Sequence, residues 1–155
     1  MKTLNSYITE RLHITKKTGV QTYKYFPQNN YDLVKILEDK LKEDKNANLN
    51  DINVSNITKM PYLFQYLDPY NIDISQWDVS NVTDMRYMFD GCKNFDSDLS
   101  DWDVSNVTNM NGIFEGCKKF TGKGLENWDV SNVKDMKRIF LNCDSLKNKP
   151  SWYKE

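Results

Sequence analysis

Large apolar residues and short polar loops alternate along this chain with a long period. Trp77-Asp78-Val79-Ser80-Asn81-Val82 returns as Trp102-Asp103-Val104-Ser105-Asn106-Val107 and again as Trp128-Asp129-Val130-Ser131-Asn132-Val133, at offsets of 25 and 26 residues. Downstream the same columns continue: Met85, Met110 and Met136; Met88, Ile113 and Ile139; Phe89, Phe114 and Phe140; Cys92, Cys117 and Cys143; Phe95, Phe120 and Leu146. A worn copy precedes them, Ile52-Asn53-Val54-Ser55-Asn56-Ile57 with Met60, Leu63 and Phe64, and Trp152 opens a final fragment. A unit of this size cannot bury its own apolar face, so the repeat predicts units stacked until those faces join in one core.

Inside a unit, residues 98–104 alternate partly between polar and apolar and predict a short strand. Residues 84–89 carry apolar side chains at i, i+3 and i+4 and predict a helical turn, with Asp84, Asn109 and Asp135 as its N-caps. Gly91, Gly116 and Asn142 suit its end. The first fifty residues lack the repeat. There, residues 5–12 predict a short helix, residues 20–26 a strand ended by Pro27, and residues 31–45 a helix with Leu33, Leu37 and Leu41 on one face. Residues 42–50 are polar and predict a loop into the repeat. The chain thus divides into residues 1–50, a capping or contact module, and residues 51–155, the repeat. As a cap, the module covers the exposed end of the stack. As a contact module, it offers Tyr23, Tyr25 and Phe26 as exposed aromatics to a partner.

The pattern W-D-V-S-N-V-x-x-M-x-x-[MI]-F-x-x-C resembles the BspA-like bacterial leucine-rich repeat, as in bacterial surface proteins and phage-encoded relatives, over residues 51–155. The resemblance implies an α/β repeat: a short right-handed leucine-rich-repeat solenoid of about four rungs, with one strand per rung, behind a small α+β N-terminal cap. It also implies protein binding, often adhesion, and no catalysis. Surface members carry an export signal or anchor, and neither is read here.

Composition narrows the chemistry. Apolar residues are only 39% of the 155 residues, yet aromatics are 13% and the net charge is -1, which excludes a disordered chain. The balanced charge lacks the footprint of a nucleic-acid binder, so no nucleic acid is expected as a partner. The single histidine, His13, would have to serve any Ser-His-Asp or Cys-His mechanism, and it reads as a surface or packing residue. The three cysteines recur at one point of the repeat and predict a buried ladder; a disulfide between neighbouring units would leave one over. Asp78, Asp103 and Asp129 form an acidic column that raises calcium as an alternative, but each precedes a Val-Ser-Asn loop whose backbone it can fix. No cofactor and no metal is expected. The C-terminal lysines and Arg138 read as a solvated terminal unit, with an anionic contact as the minor alternative.

These features favour a non-enzymatic protein-interaction module with an unidentified protein partner. The expected contact residues are Asp73, Ser75, Asp98, Ser100, Lys123 and Glu126, which vary between units while the apolar columns do not. Their acidic lean predicts a basic patch on the partner. The alternative is a structural or assembly component of a phage particle or host-takeover complex, with self-association left open. No apolar run is long enough for a membrane helix and no leader is read, so the expected location is the cytoplasm of a bacterial cell, phage-infected or not.

Overall fold

The structure, a computed structural model, describes residues 11–15 and 19–154, with side chains from residue 22 onward. Strands β1 (Arg11–Thr15) and β2 (Gly19–Tyr23) pair antiparallel, Arg11 opposite Tyr23 and Thr15 opposite Gly19. Residues 5–10 of the expected first helix lie outside the described residues, and Arg11 and Leu12 belong to β1. The expectation for the His13 side chain likewise lies outside the described side chains.

Helix α1 (Asn30–Glu43) matches the apolar periodicity. Asn29 caps it by accepting the Asp32 amide, and Lys40 and Lys42 sit in its last turn, where cations suit the helix dipole. Leu33, Leu37 and Leu41 are buried in the same core as the repeat. Lys40 reaches Asp51 at 3.1 Å, and Lys45 donates to the Leu67 carbonyl. Tyr23, expected as an exposed aromatic, is buried at 4% exposure; Tyr25 and Phe26 are half-buried.

The expected leucine-rich-repeat solenoid, with a strand and a helical turn in each rung, is not what the repeat forms. Among the described residues of the repeat there is no β-strand and no α-helix, only turns, isolated bridges and one 3-10 turn at Leu125–Asn127. Local hydrogen bonding explains the missing strand. The Ser100 amide donates to Asp98 Oδ1 at 2.9 Å and the Trp102 amide to the Leu99 carbonyl at 3.2 Å, which bends residues 98–102 into turns.

The helical spacing of Met85, Met88 and Phe89 has a different origin as well. The amides of Met85, Tyr87, Phe89 and Gly91 donate to the carbonyls of Asn109, Asn111, Ile113 and Glu115 in the next unit, so these donors cannot close helical bonds. Tyr87 (φ 54°) and Gly91 (φ 72°) are left-handed, which an α-helix does not tolerate. The same ladder joins the following units: Met110, Gly112, Phe114 and Gly116 donate to Asp135, Lys137, Ile139 and Leu141. Single parallel bridges run Lys59–Asp84–Asn109–Asp135 along it. Asp84, Asn109 and Asp135 do act as local acceptors, each taking the amide two residues on.

The repeat columns therefore meet in space, one unit against the next. Trp77, Trp102 and Trp128 stack in parallel with ring centroids 6.5 and 6.4 Å apart. Phe64, Phe89, Phe114 and Phe140 form a second pile at 5.1, 5.7 and 6.1 Å. Each indole also donates into a neighbouring unit, Trp102 Nε1 to the Ile74 carbonyl at 3.0 Å and Trp128 Nε1 to Leu99 at 3.2 Å. Asn81, Asn106 and Asn132 bridge to the carbonyls of Ser55, Ser80 and Ser105 at 2.7–2.8 Å, which satisfies loop backbone groups between units.

Candidate functional site

Asp73 and Ser75 sit in a turn of the second unit, and Asp98 and Ser100 hold the same place 25 residues on. The Ser75 amide and hydroxyl both donate to Asp73 Oδ1, at 3.1 and 2.8 Å. The Ser100 amide and hydroxyl do the same to Asp98 Oδ1. Asn48 Nδ2 donates to Asp73 Oδ2 at 3.0 Å from the preceding unit. In the fourth unit Gly124 takes the place of Asp98 and Glu126 that of Ser100, so the turn is rebuilt as the 3-10 turn. Glu126 accepts the Ser151 amide and hydroxyl, and Lys123 reaches Asp96 at 3.3 Å. The structure thus places the six expected residues in neighbouring units as a row of pinned side chains. Asp73 and Ser75 are half-buried, and Asp98, Ser100, Lys123 and Glu126 are exposed.

These bonds also set the charge of the row. Hydrogen bonds from Ser100 hold the Asp98 carboxyl below its ordinary range, and those from Ser151 do the same for Glu126. At Asp73 burial works upward, but the bonds from Asn50 and Ser75 together outweigh it and the carboxyl is lowered. Carboxyls lowered in the folded state keep the row negative into mild acid. What these turns add to stability is present above the ordinary carboxylate range and is lost as the pH falls through the lowered values.

The other acidic column is built in the same way. Ser80, Ser105 and Ser131 amides donate to Asp78, Asp103 and Asp129 at 3.1, 3.0 and 3.0 Å. Their carboxylates are engaged in loop turns, and among the described residues no cluster of three or more His, Cys, Asp or Glu stands where it could hold a metal ion. No helix among them is long and apolar enough to cross a membrane.

The cysteines form a column of free thiols pointed along the stack. Cys92, Cys117 and Cys143 donate to the carbonyls of Phe64, Phe89 and Phe114 at 3.2, 3.0 and 2.9 Å. Burial pushes all three thiols up, Cys143 least, to about 12. Since the thiolate is the reactive form, the native protein is expected to resist alkylation at pH 8, with Cys143 modified before the other two. Mass spectrometry after a timed iodoacetamide pulse checks this, and equal modification of the three would show an open column.

Two further features are formed only by the stacked units. The Tyr62 and Tyr87 rings stack at 5.2 Å, and the Tyr87 ring lies over Gly112, where a Cβ would come within 2.4 Å of it. The signal was a tyrosine in the column that Gly112 and Arg138 fill later. A polar groove of about 440 Å³ crosses several units, lined by Asn46, Asn71, Asp96, Asn94, Lys119 and Ser145 with Tyr70 beside them. It was hidden because those residues are scattered until the period aligns them.

A family model described as "Mycoplasma protein of unknown function, DUF285" matches residues 32–153, from the first turn of α1 to the end of the repeat. Comparison with curated proteins found no match, and comparison with solved structures found none either.

Proposed function

The chain belongs to the DUF285 family, and on that premise we propose that it is a non-enzymatic protein-binding module. It offers the row Asp73, Ser75, Asp98, Ser100, Lys123 and Glu126 to a partner with a basic patch. One observation carries this reading: Asp73 and Asp98 are held by turn hydrogen bonds and Glu126 by Ser151 of the following unit, so the charges of the row are presented in a fixed geometry before a partner arrives. Preorganised side chains lose little further freedom on binding. The likeness of the repeat to the BspA-like type, whose members bind proteins, supports it too. Assembly into a larger particle is the second reading, favoured by the partly buried apolar side chains Val133, Met136 and Trp152, which a further contact would cover.

The test must separate charge from fold. Asp73→Asn, Asp98→Asn and Glu126→Gln keep an oxygen acceptor for each of these bonds while removing the charge. The triple variant should keep its circular dichroism spectrum and lose most captured partner in a pull-down from host lysate. Unchanged recovery of the same partners would remove this row from the binding surface.

A further inference from the structure

The polar groove that crosses the units is lined by two rows of side chains that the repeat brings together. Asn46, Asn71 and Asp96 follow one another at 25 residues in one row, and Asn94, Lys119 and Ser145 at 25 and 26 in the other. Most of this lining is unused within the fold. Among the described residues, the side chains of Asn71, Asn94, Lys119 and Ser145 enter no hydrogen bond or ion pair. Asp96 is engaged instead: its Oδ1 accepts the Thr121 amide and hydroxyl at 2.8 and 2.7 Å, and Lys123 reaches its Oδ2 at 3.3 Å. Lys119 is therefore the unpaired charge of the lining. Tyr70 departs from its column. Phe95 and Phe120 at the same place in later units are fully buried, whereas Tyr70 is 41% exposed and lines the groove. The backbone along the groove is closed. The amides of Tyr70, Lys119 and Ser145 donate to the carbonyls of Lys45, Lys93 and Lys118, and those of Asn71 and Thr121 to the side chains of Asn46 and Asp96.

We propose that this groove binds an extended oligosaccharide, with a carboxylated sugar beside Lys119. Its volume of about 440 Å³ lies within the range of ligand pockets, about 300–1,000 Å³. A side-chain amide offers an acceptor and two donors in one plane. Neighbouring sugar hydroxyls donate and accept together, so the free amides of Asn71 and Asn94 match them. The exposed Tyr70 ring supplies an apolar face for the C–H side of a sugar ring and a hydroxyl at its tip. Lys119 suits a single carboxylate. A run of phosphates would need a row of cations, which disfavours a nucleic acid. A peptide fits less well too. The groove amides named above are already bonded, so they offer no open edge to its backbone, and the lining apart from Tyr70 is polar and gives no apolar pocket for an anchoring side chain. None of the lining residues belongs to the Asp73–Glu126 row, and the proposal does not rest on the protein-binding reading.

The probe is a tetrasaccharide of alternating glucuronic acid and N-acetylglucosamine, which sets neutral sugars on either side of a carboxylate. Titrated into the intact, isotope-labelled chain, it should shift the NMR signals of the Asn71 and Asn94 side-chain amides and of the Tyr70 ring. The neutral tetramer of N-acetylglucosamine should bind more weakly. Tyr70→Ala should weaken the acidic tetrasaccharide about fivefold, the worth of one aromatic contact. Lys119→Gln should weaken it about threefold, the worth of one exposed ion pair, and leave the neutral tetramer as it was. Both side chains are exposed, so neither change touches the core. The proposal is overturned if those signals stay still at millimolar tetrasaccharide. It is overturned equally if a glutamate-containing tetrapeptide of the same charge shifts them as strongly, which would make the groove a peptide site. Equal affinity for the acidic and neutral tetramers would overturn the role given to Lys119. The titration uses the unmodified chain, so it decides the matter even if a variant folds poorly.

Discussion

Replacing Phe114 by alanine is expected to cost about 3–5 kcal/mol, the range for deleting a buried aromatic from a packed core. The ring is fully buried and stands at a crossing of both aromatic piles. Phe89 lies at 5.7 Å on one side and Phe140 at 6.1 Å on the other, with Phe120 at 4.3 Å and Trp128 at 6.0 Å. The backbone bonds of this residue survive the change. Its amide still donates to Ile139 and its carbonyl still accepts from Cys117 and Cys143. The loss is therefore one of packing and of the cavity left behind, and a domain of ordinary stability holds only about 5–15 kcal/mol in total. Phe140→Ala, at the partly covered end and 8% exposed, should cost clearly less. Urea denaturation followed by tryptophan fluorescence measures both. A cost below about 1 kcal/mol for Phe114→Ala, within the range of an ordinary surface change, would show that the rings are not packed as described.

Gly124→Ala should be nearly as damaging for a different reason. Gly124 has φ 85°, and a Cβ there would lie 2.2 Å from the Ser100 amide nitrogen and 2.5 Å from the Ser100 Cα. Both are backbone atoms of the neighbouring unit, so no side-chain rotation relieves the clash. Left-handed strain of about 1–2 kcal/mol and overpacking of about 1–3 kcal/mol then add to an expected loss of about 2–5 kcal/mol. Gly91→Ala is the control. Its φ of 72° is similar, but nothing lies within 4 Å of the added Cβ, so only the conformational strain applies. The difference between the two denaturation midpoints isolates the close approach of the units at Ser100. Equal losses would mean that the fourth unit sits further from the third than the structure places it.

Gly124 also shows how the row at Asp73 and Asp98 came to vary. With glycine at the aspartate's place, no carboxylate can pin the turn, and Glu126 bonds Ser151 in the following unit instead. In the sequence the six row residues differ from unit to unit. Their pinning by Ser75, Ser100 and Ser151 was only half legible. Asp-x-Ser announces a local turn, whereas the Glu126–Ser151 bond spans 25 residues and needs the units in place. The groove of Asn46, Asn71 and Asp96 needed the same alignment.

By itself the sequence determined which side chains are interior and in what register units meet. Trp, Val, Met, Phe and Cys recur at one period, and burial follows side-chain chemistry. Helix α1 was equally legible, because its apolar stripe and its Asn29 cap are local signals. The backbone conformation inside a unit was decided by the tertiary structure. Met85, Met88 and Phe89 have the spacing of a helix face, but the amides between them had two sets of acceptors: carbonyls one turn back, or carbonyls of the next unit. Only stacking brings the second set within reach, and stacking buries the apolar columns at the same time, so the donors turn outward and the helix does not form. Among the described residues no unit follows Met136 to Asn142, and the amides of Met136, Arg138, Phe140 and Asn142 there donate to no acceptor.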